Sequence, residues 1–282
     1  MIMCGFDRLR RRAAAVAIAV AAVCGIGRAA GDASPWEGND RTAVRLIAGS
    51  SGAQEFIRAG IEIRLKPGWH TYWRYPGDAG VPPRLDFTAS QNVDTVRVLW
   101  PAPRRLTEEG LSVIGYAEDV ILPLVVVPRD RTKPAMLRLA IDYAVCERLC
   151  VPTQATAELA LTGAPSSHDD MLVQALGRVP RRLALGEASP LAVKSIARES
   201  ASTPARVIIE VAGPANVDVF AEGPSPEWAL PLPTALAPPA PGVARFAFAL
   251  DGAPPGVRYE GALITITAVM AGEAVETVVP IP

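Results

Sequence analysis

Cys146 and Cys150, set in Tyr143-Ala144-Val145-Cys146-Glu147-Arg148-Leu149-Cys150-Val151-Pro152, carry the most chemistry in this chain by type and spacing. Two thiols four positions apart have three uses. They form a structural staple, a redox centre that trades its disulfide with another protein, or half of a soft metal site. His70 and His168 are the two histidines, so the metal alternative is Cys146, Cys150 and His70 holding copper(I). Without it, no cofactor is expected. In a continuous strand, residues four apart lie about 13 Å from one another, whereas a disulfide needs α-carbons within about 7 Å. Bonded cysteines therefore require a turn between them.

The flanks fit a hairpin. Leu137, Leu139, Ile141, Tyr143 and Val145 share one strand face and Ala155, Ala157, Leu159 and Leu161 share another, leaving Glu147-Arg148-Leu149 as the tip. So small a ring removes less unfolded-chain entropy than the roughly 3 kcal/mol of a 15-residue loop, which weakens the staple. An exposed tip suits thiol–disulfide exchange, because attack needs access to one sulfur. Arg148 favours a thiolate and Glu147 opposes it. A non-enzymatic adaptor with a structural disulfide stays open beside the redox and metal alternatives. Glycine loops for phosphate, a G-x-S-x-G elbow and H-E-x-x-H are absent from the sequence.

Trp69, His70, Tyr72, Trp73 and Tyr75 form the densest aromatic cluster in a chain with 6% aromatic residues. They read as a strand end and turn that plug a sandwich, with His70 buried against a backbone carbonyl. The functional alternative is a platform beside the cysteines that docks a partner or caps the thiols. Trp69, His70 and Tyr72 are the candidates for it, with Tyr116 as a further one.

The elements that position these residues are strands. From Phe56 to Lys66, apolar and polar residues alternate with period two, the mark of a half-buried strand. Shorter runs of the same kind occur at Thr42–Ala48, Val93–Leu99, Val120–Val127, Leu137–Val145 and Thr153–Leu161, punctuated by proline and glycine. This pattern predicts a mostly β protein, an antiparallel sandwich over residues 31–163. Residues 164–190 read as a short helix at Met171–Leu176, started by Ser or Asp and ended by Gly177, plus a linker. A second, smaller β-domain follows at 191–282, with the proline-rich stretch Pro224–Pro241 as a long surface loop.

Arg8, Arg10, Arg11 and Arg12 precede an unbroken small-apolar run, Ala13 to Gly27, and Ala29-Ala30 supply small residues for cleavage. That order predicts a signal peptide over residues 1–30 and export into an oxidising compartment. Cys4 and Cys24 leave with it, since bulky Val23 disfavours a lipoprotein signal. The remainder holds 23 basic and 28 acidic residues, a charge of about −5, which argues against nucleic acid or anionic lipid as a partner. No second apolar run of membrane-spanning length occurs, so no span is expected after cleavage.

Tyr143 to Pro152, preceded by Gly68-Trp69-His70-Thr71-Tyr72-Trp73-Arg74-Tyr75-Pro76-Gly77-Asp78-Ala79-Gly80, resembles the amino-terminal periplasmic domain of the DsbD and ScsB thiol:disulfide interchange proteins. Gly115-Tyr116 and Leu122-Pro123-Leu124 add to the likeness, which covers roughly residues 40 to 162 and is nearest to the ScsB-like branch. The resemblance implies an immunoglobulin-like sandwich, a periplasmic location and a part in a protein-disulfide reductase. Electrons would pass between thioredoxin-like periplasmic proteins and the Cys146–Cys150 pair. Cys150 would form the mixed disulfide, Cys146 would resolve it, and an aromatic cap loop would shield both. Members of that family continue into a membrane domain. This chain ends at Pro282 without one, so the resemblance implies a separate DsbD-like membrane protein as electron donor.

Overall fold

Burial follows the alternation. Ile57, Ala59, Ile61, Ile63 and Leu65 are buried, while Arg58, Glu62 and Arg64 are not. The computed structural model describes residues 31–51, 56–214 and 216–282. The signal peptide expected at residues 1–30 lies outside the described residues.

The first unit contains β1 (Glu37–Gly38), β2 (Thr42–Ser51), β3 (Ile57–Leu65), β4 (His70–Gly77), β5 (Arg84–Asp86), β6 (Val93–Val98), β7 (Arg104–Glu108), β8 (Leu111–Tyr116), β9 (Val120–Pro128), β10 (Ala135–Cys146) and β11 (Cys150–Leu161). One sheet runs β1-β2-β3-β9-β6. The other runs β11-β10-β4-β8-β7, with β5 also paired to β10, and every pairing is antiparallel. Leu46, Ile61, Leu122 and Leu124 from the first sheet meet Trp73, Leu137, Ile141 and Val145 from the second in one core. Burying each such aliphatic side chain contributes about 1.5–3 kcal/mol. The result is the antiparallel sandwich expected from the pattern, of the immunoglobulin-like kind that the resemblance implies.

Helix α1 (Asp169–Leu176) covers the outer face of the first sheet, where Gly49 and Gly60 leave room for Leu172. Its start differs from expectation. His168 occupies the N-cap without a side-chain bond, and Asp169 instead accepts the Ser50 N–H at 2.8 Å and the Ser166 N–H at 2.9 Å.

The second unit contains β12 (Arg181–Arg182), β13 (Ala192–Glu199), β14 (Arg206–Ala212), β15 (Asp218–Glu222), β16 (Thr234–Ala240), β17 (Val243–Ala249), β18 (Leu263–Met270) and β19 (Glu273–Pro280). They form two four-stranded sheets, β12-β19-β18-β15 and β13-β14-β17-β16, around a core that includes Val207, Val219, Phe248 and Ile266. β12 runs parallel to β19, so part of the 164–190 segment lies in this unit's sheet. The stretch Pro224–Pro241 is not simply a surface loop. Trp228, Leu230 and Leu232 are buried in it, and β16 pairs with β17. Proline is tolerated there because β16 is an edge strand, and Pro238 and Pro239 fall where its register shifts. Phe220 and Leu232 of this unit join the first sandwich's core, so the two units touch through apolar contacts.

Candidate functional site

The hairpin is as the spacing requires. Cys146 pairs directly with Cys150 at the end of the β10–β11 ladder, with Glu147-Arg148-Leu149 exposed as the tip. The two cysteines form a disulfide, their α-carbons 4.1 Å apart. They are not equivalent. Cys146 is fully buried and Cys150 is exposed.

The aromatic segment is a full strand rather than a strand end. β4 lies between β10 and β8, with Cys146 opposite His70 and Val145 opposite Thr71. Alternation then sorts the side chains. Trp69 and Trp73 enter the core between the sheets, and Thr71 donates to the Ala144 carbonyl at 2.9 Å. His70 and Tyr72 stand on the outer face with the cysteines, where Tyr72, Val113, Ala144 and Cys146 form a small separate cluster. Tyr116, opposite Thr71, belongs to the core face and donates to the Pro101 carbonyl at 2.8 Å. The structure thus brings His70 and Tyr72 to the cysteines and leaves Trp69 and Tyr116 on the other side of the sheet.

The Tyr72 hydroxyl is the hub of the site. It lies 2.8 Å from Cys146 Sγ and 3.2 Å from Cys150 Sγ, and it donates to Glu108 Oε2 at 2.7 Å. Burial, the hydrogen bond to Glu108 and that residue's charge hold the phenol well above its usual range, so it remains a proton donor. His70 Nε2 sits 3.4 Å from the same carboxylate oxygen, which replaces the backbone carbonyl expected as its partner. Glu108 Oε1 lies 2.7 Å from Cys150 Sγ. A disulfide sulfur carries no proton, so this close approach becomes a hydrogen bond only once the pair is reduced.

Glu108 escaped the sequence reading altogether. It ends β7, whose two-residue turn into β8, Glu109-Gly110, has positive φ at both positions (47° and 85°). That geometry favours glycine and suits the twist of a tight hairpin. The Glu-Gly pair was the available signal for the hairpin. Nothing local pointed to a cysteine forty-two residues away.

His70 Nε2, a Glu108 carboxylate oxygen and Cys146 Sγ all lie within 4.8 Å of one another. His168, at the start of α1, lies 3.4 Å from the Ser167 hydroxyl and is not part of that group. Among the described residues, no helix is long and apolar enough to cross a membrane.

Residues 41–162 match the family model for the thiol:disulfide interchange protein DsbD, N-terminal. The chain is also similar to the crystal structure of the N-terminal periplasmic domain of ScsB from Proteus mirabilis. The TM-score is 0.70 at 20% identity, covering 89% of this chain and 98% of that one, so the two share a fold across both sandwiches. No curated protein matches the chain.

Proposed function

We propose that this chain, whose residues 41–162 form a DsbD-type amino-terminal domain, relays reducing equivalents in the periplasm. The Cys146–Cys150 pair would exchange them with thioredoxin-like proteins. The observation that carries this reading is the asymmetry of the pair, with Cys150 open to attack and Cys146 shielded. Trp69 and Tyr116 act in this reading through the core alone, and His70 and Tyr72 act beside the sulfurs.

In the reducing direction, the Cys150 thiolate attacks a sulfur of the partner's disulfide, and the partner's other sulfur leaves as a thiolate. Cys146 then attacks Cys150 Sγ, the partner's second sulfur leaves, and the Cys146–Cys150 bond re-forms. Two electrons and two protons pass to the partner. Recharging runs the same steps in reverse, with a separate DsbD-like membrane protein as donor. Tyr72 has one proton and three acceptors within reach, so it bonds Glu108 while the disulfide is intact and turns to a sulfur that becomes a thiolate. The Glu108 carboxylate beside Cys150 opposes the thiolate.

The test is trapping. Cys146→Ser retains the exposed sulfur and is expected to accumulate a mixed disulfide with thioredoxin-like proteins, whereas Cys150→Ser accumulates none. A Cys146→Ser protein that traps no such partner overturns the relay.

The grouping of His70, Glu108 and Cys146 favours a second reading, a soft cation held by the reduced site. Two thiolates with an imidazole suit copper(I), and the carboxylate adds a ligand suited to zinc. Copper(I) titration of the reduced protein tests it. Affinity unchanged by His70→Ala and by Cys146→Ser removes this reading.

A further inference from the structure

Two arginines tie the strands of the cysteine site to the second sandwich. Arg74, in β4, donates to Glu222 Oε1 at 2.8 Å and Oε2 at 2.7 Å, and to Glu276 Oε2 at 2.7 Å. Glu222 belongs to β15 and Glu276 to β19. The guanidinium also lies 4.3 Å from the Trp73 ring, which packs against Phe220 of β15. The neighbouring Tyr75 hydroxyl donates to the Leu230 carbonyl. Arg105, in β7, donates to Asp218 at 2.8 Å and to the carbonyls of Val219 and Pro233 at 3.2 and 3.3 Å.

Both anchors lie close to the site along stiff backbone. Tyr72 is two residues before Arg74, about 7 Å along the strand, and Glu108 is three residues after Arg105, about 10 Å. β7 depends on its anchor the more. Among the described residues it is the last strand of its sheet, bonded to β8 alone, and Glu108 sits at its far end beside an exposed two-residue turn. An edge strand held on one side frays from its tip unless it is fixed elsewhere. Arg105, which shares a face with its ladder partner Ile114, supplies that fixing from the face of the sheet by bonding three groups of the second unit, the Asp218 carboxylate and two backbone carbonyls.

We propose that the second sandwich serves as a brace for the cysteine site, with Arg105 the principal positioning residue and Arg74 its companion. Through them the second unit fixes β7 and β4, and so holds Glu108 and Tyr72 against the two sulfurs. The proposal rests on the pair being reactive. Its test needs only the Cys150 thiol in the full chain and no partner protein, so its failure is separable from failure of the relay.

The experiment measures the pH profile of Cys150 alkylation in the reduced full-length protein, with Cys4, Cys24 and Cys146 replaced by Ser so that Cys150 is the one thiol. Arg105→Ala and the milder Asp218→Asn are expected to loosen Glu108 and raise alkylation at neutral pH by about threefold or more, as the thiolate fraction rises. Glu108→Gln should raise it too, and Arg105→Ala should add nothing in that background, because both act through one carboxylate. Circular dichroism confirms that each variant is folded. An anchor serving stability alone lowers the melting temperature and leaves the profile in place. Two results overturn the brace: folded Arg105→Ala and Asp218→Asn proteins with unchanged profiles, or an Arg105→Ala effect that persists in full without Glu108.

Discussion

Glu108 and Cys150, forty-two residues apart in the chain, meet at 2.7 Å between Oε1 and Sγ. A carboxylate at that distance penalises the thiolate it faces, because two like charges share one small volume. Glu108→Gln keeps the shape and removes the charge. The pH profile of Cys150 alkylation in the reduced protein is therefore expected to move to lower pH. A profile unchanged or moved to higher pH contradicts this role for Glu108.

Leu149 is 75% exposed at the hairpin tip, next to the exposed Cys150. A large apolar residue there adds nothing to the core, and in the proposed relay a protein reaching the Cys150 sulfur would cover it. Leu149→Asp is expected to leave stability within about 0.5 kcal/mol. It should slow exchange with a thioredoxin-like protein on the order of tenfold, about 1.4 kcal/mol of lost docking. Stopped-flow exchange with and without the substitution decides the matter, and equal rates remove Leu149 from the interface.

Gly115 lies opposite Tyr72 in the β4–β8 pair, and a Cβ at Gly115 would come within 2.0 Å of the Thr71 carbonyl oxygen. That atom is backbone, so a side chain at this position forces β4 itself to move. Gly115→Ala is expected to destabilise the protein by about 1–3 kcal/mol in urea unfolding. Because Thr71 lies between His70 and Tyr72, the same shift should disturb the sulfur contacts of Tyr72. A neutral result would mean that β4 and β8 separate at little cost.

Tyr72, Tyr75, Tyr116 and Tyr143 all have phenols raised above the usual range, in each case foremost by burial. The folded state thus holds these protons more tightly than the unfolded chain, whose tyrosines ionise near pH 10. The stability they contribute is fully present below about pH 10 and is lost as pH rises through the higher folded values. Melting temperature is expected to fall steadily above pH 10. Tyr116→Phe should flatten that fall while lowering stability at pH 7 by about 1 kcal/mol, through loss of its bond to Pro101. A melting temperature level from pH 9 to 11 is the contrary result.

What is local and periodic in this protein is legible along the chain. Alternation from Phe56 to Lys66 and along both sides of Cys146 and Cys150 placed strands and their buried faces. The four-residue spacing required a turn, and the turn is there. The reason is physical: a strand's burial pattern and a disulfide's reach are set within a few residues. The same logic misread Pro224–Pro241, because prolines on an edge strand look like a loop until the neighbouring strand is known. Tertiary structure alone decided which aromatic residues meet the sulfurs. β4 pairs with β10 at one register, which turns His70 and Tyr72 toward Cys146 and puts Trp69 and Tyr116 in the core. It alone supplied Glu108, brought in by a hairpin from another part of the chain, and the ties from Arg74 and Arg105 to a second sandwich more than a hundred residues on. Contacts over such separations depend on how sheets stack and which edges meet, and no run of neighbouring residues encodes them.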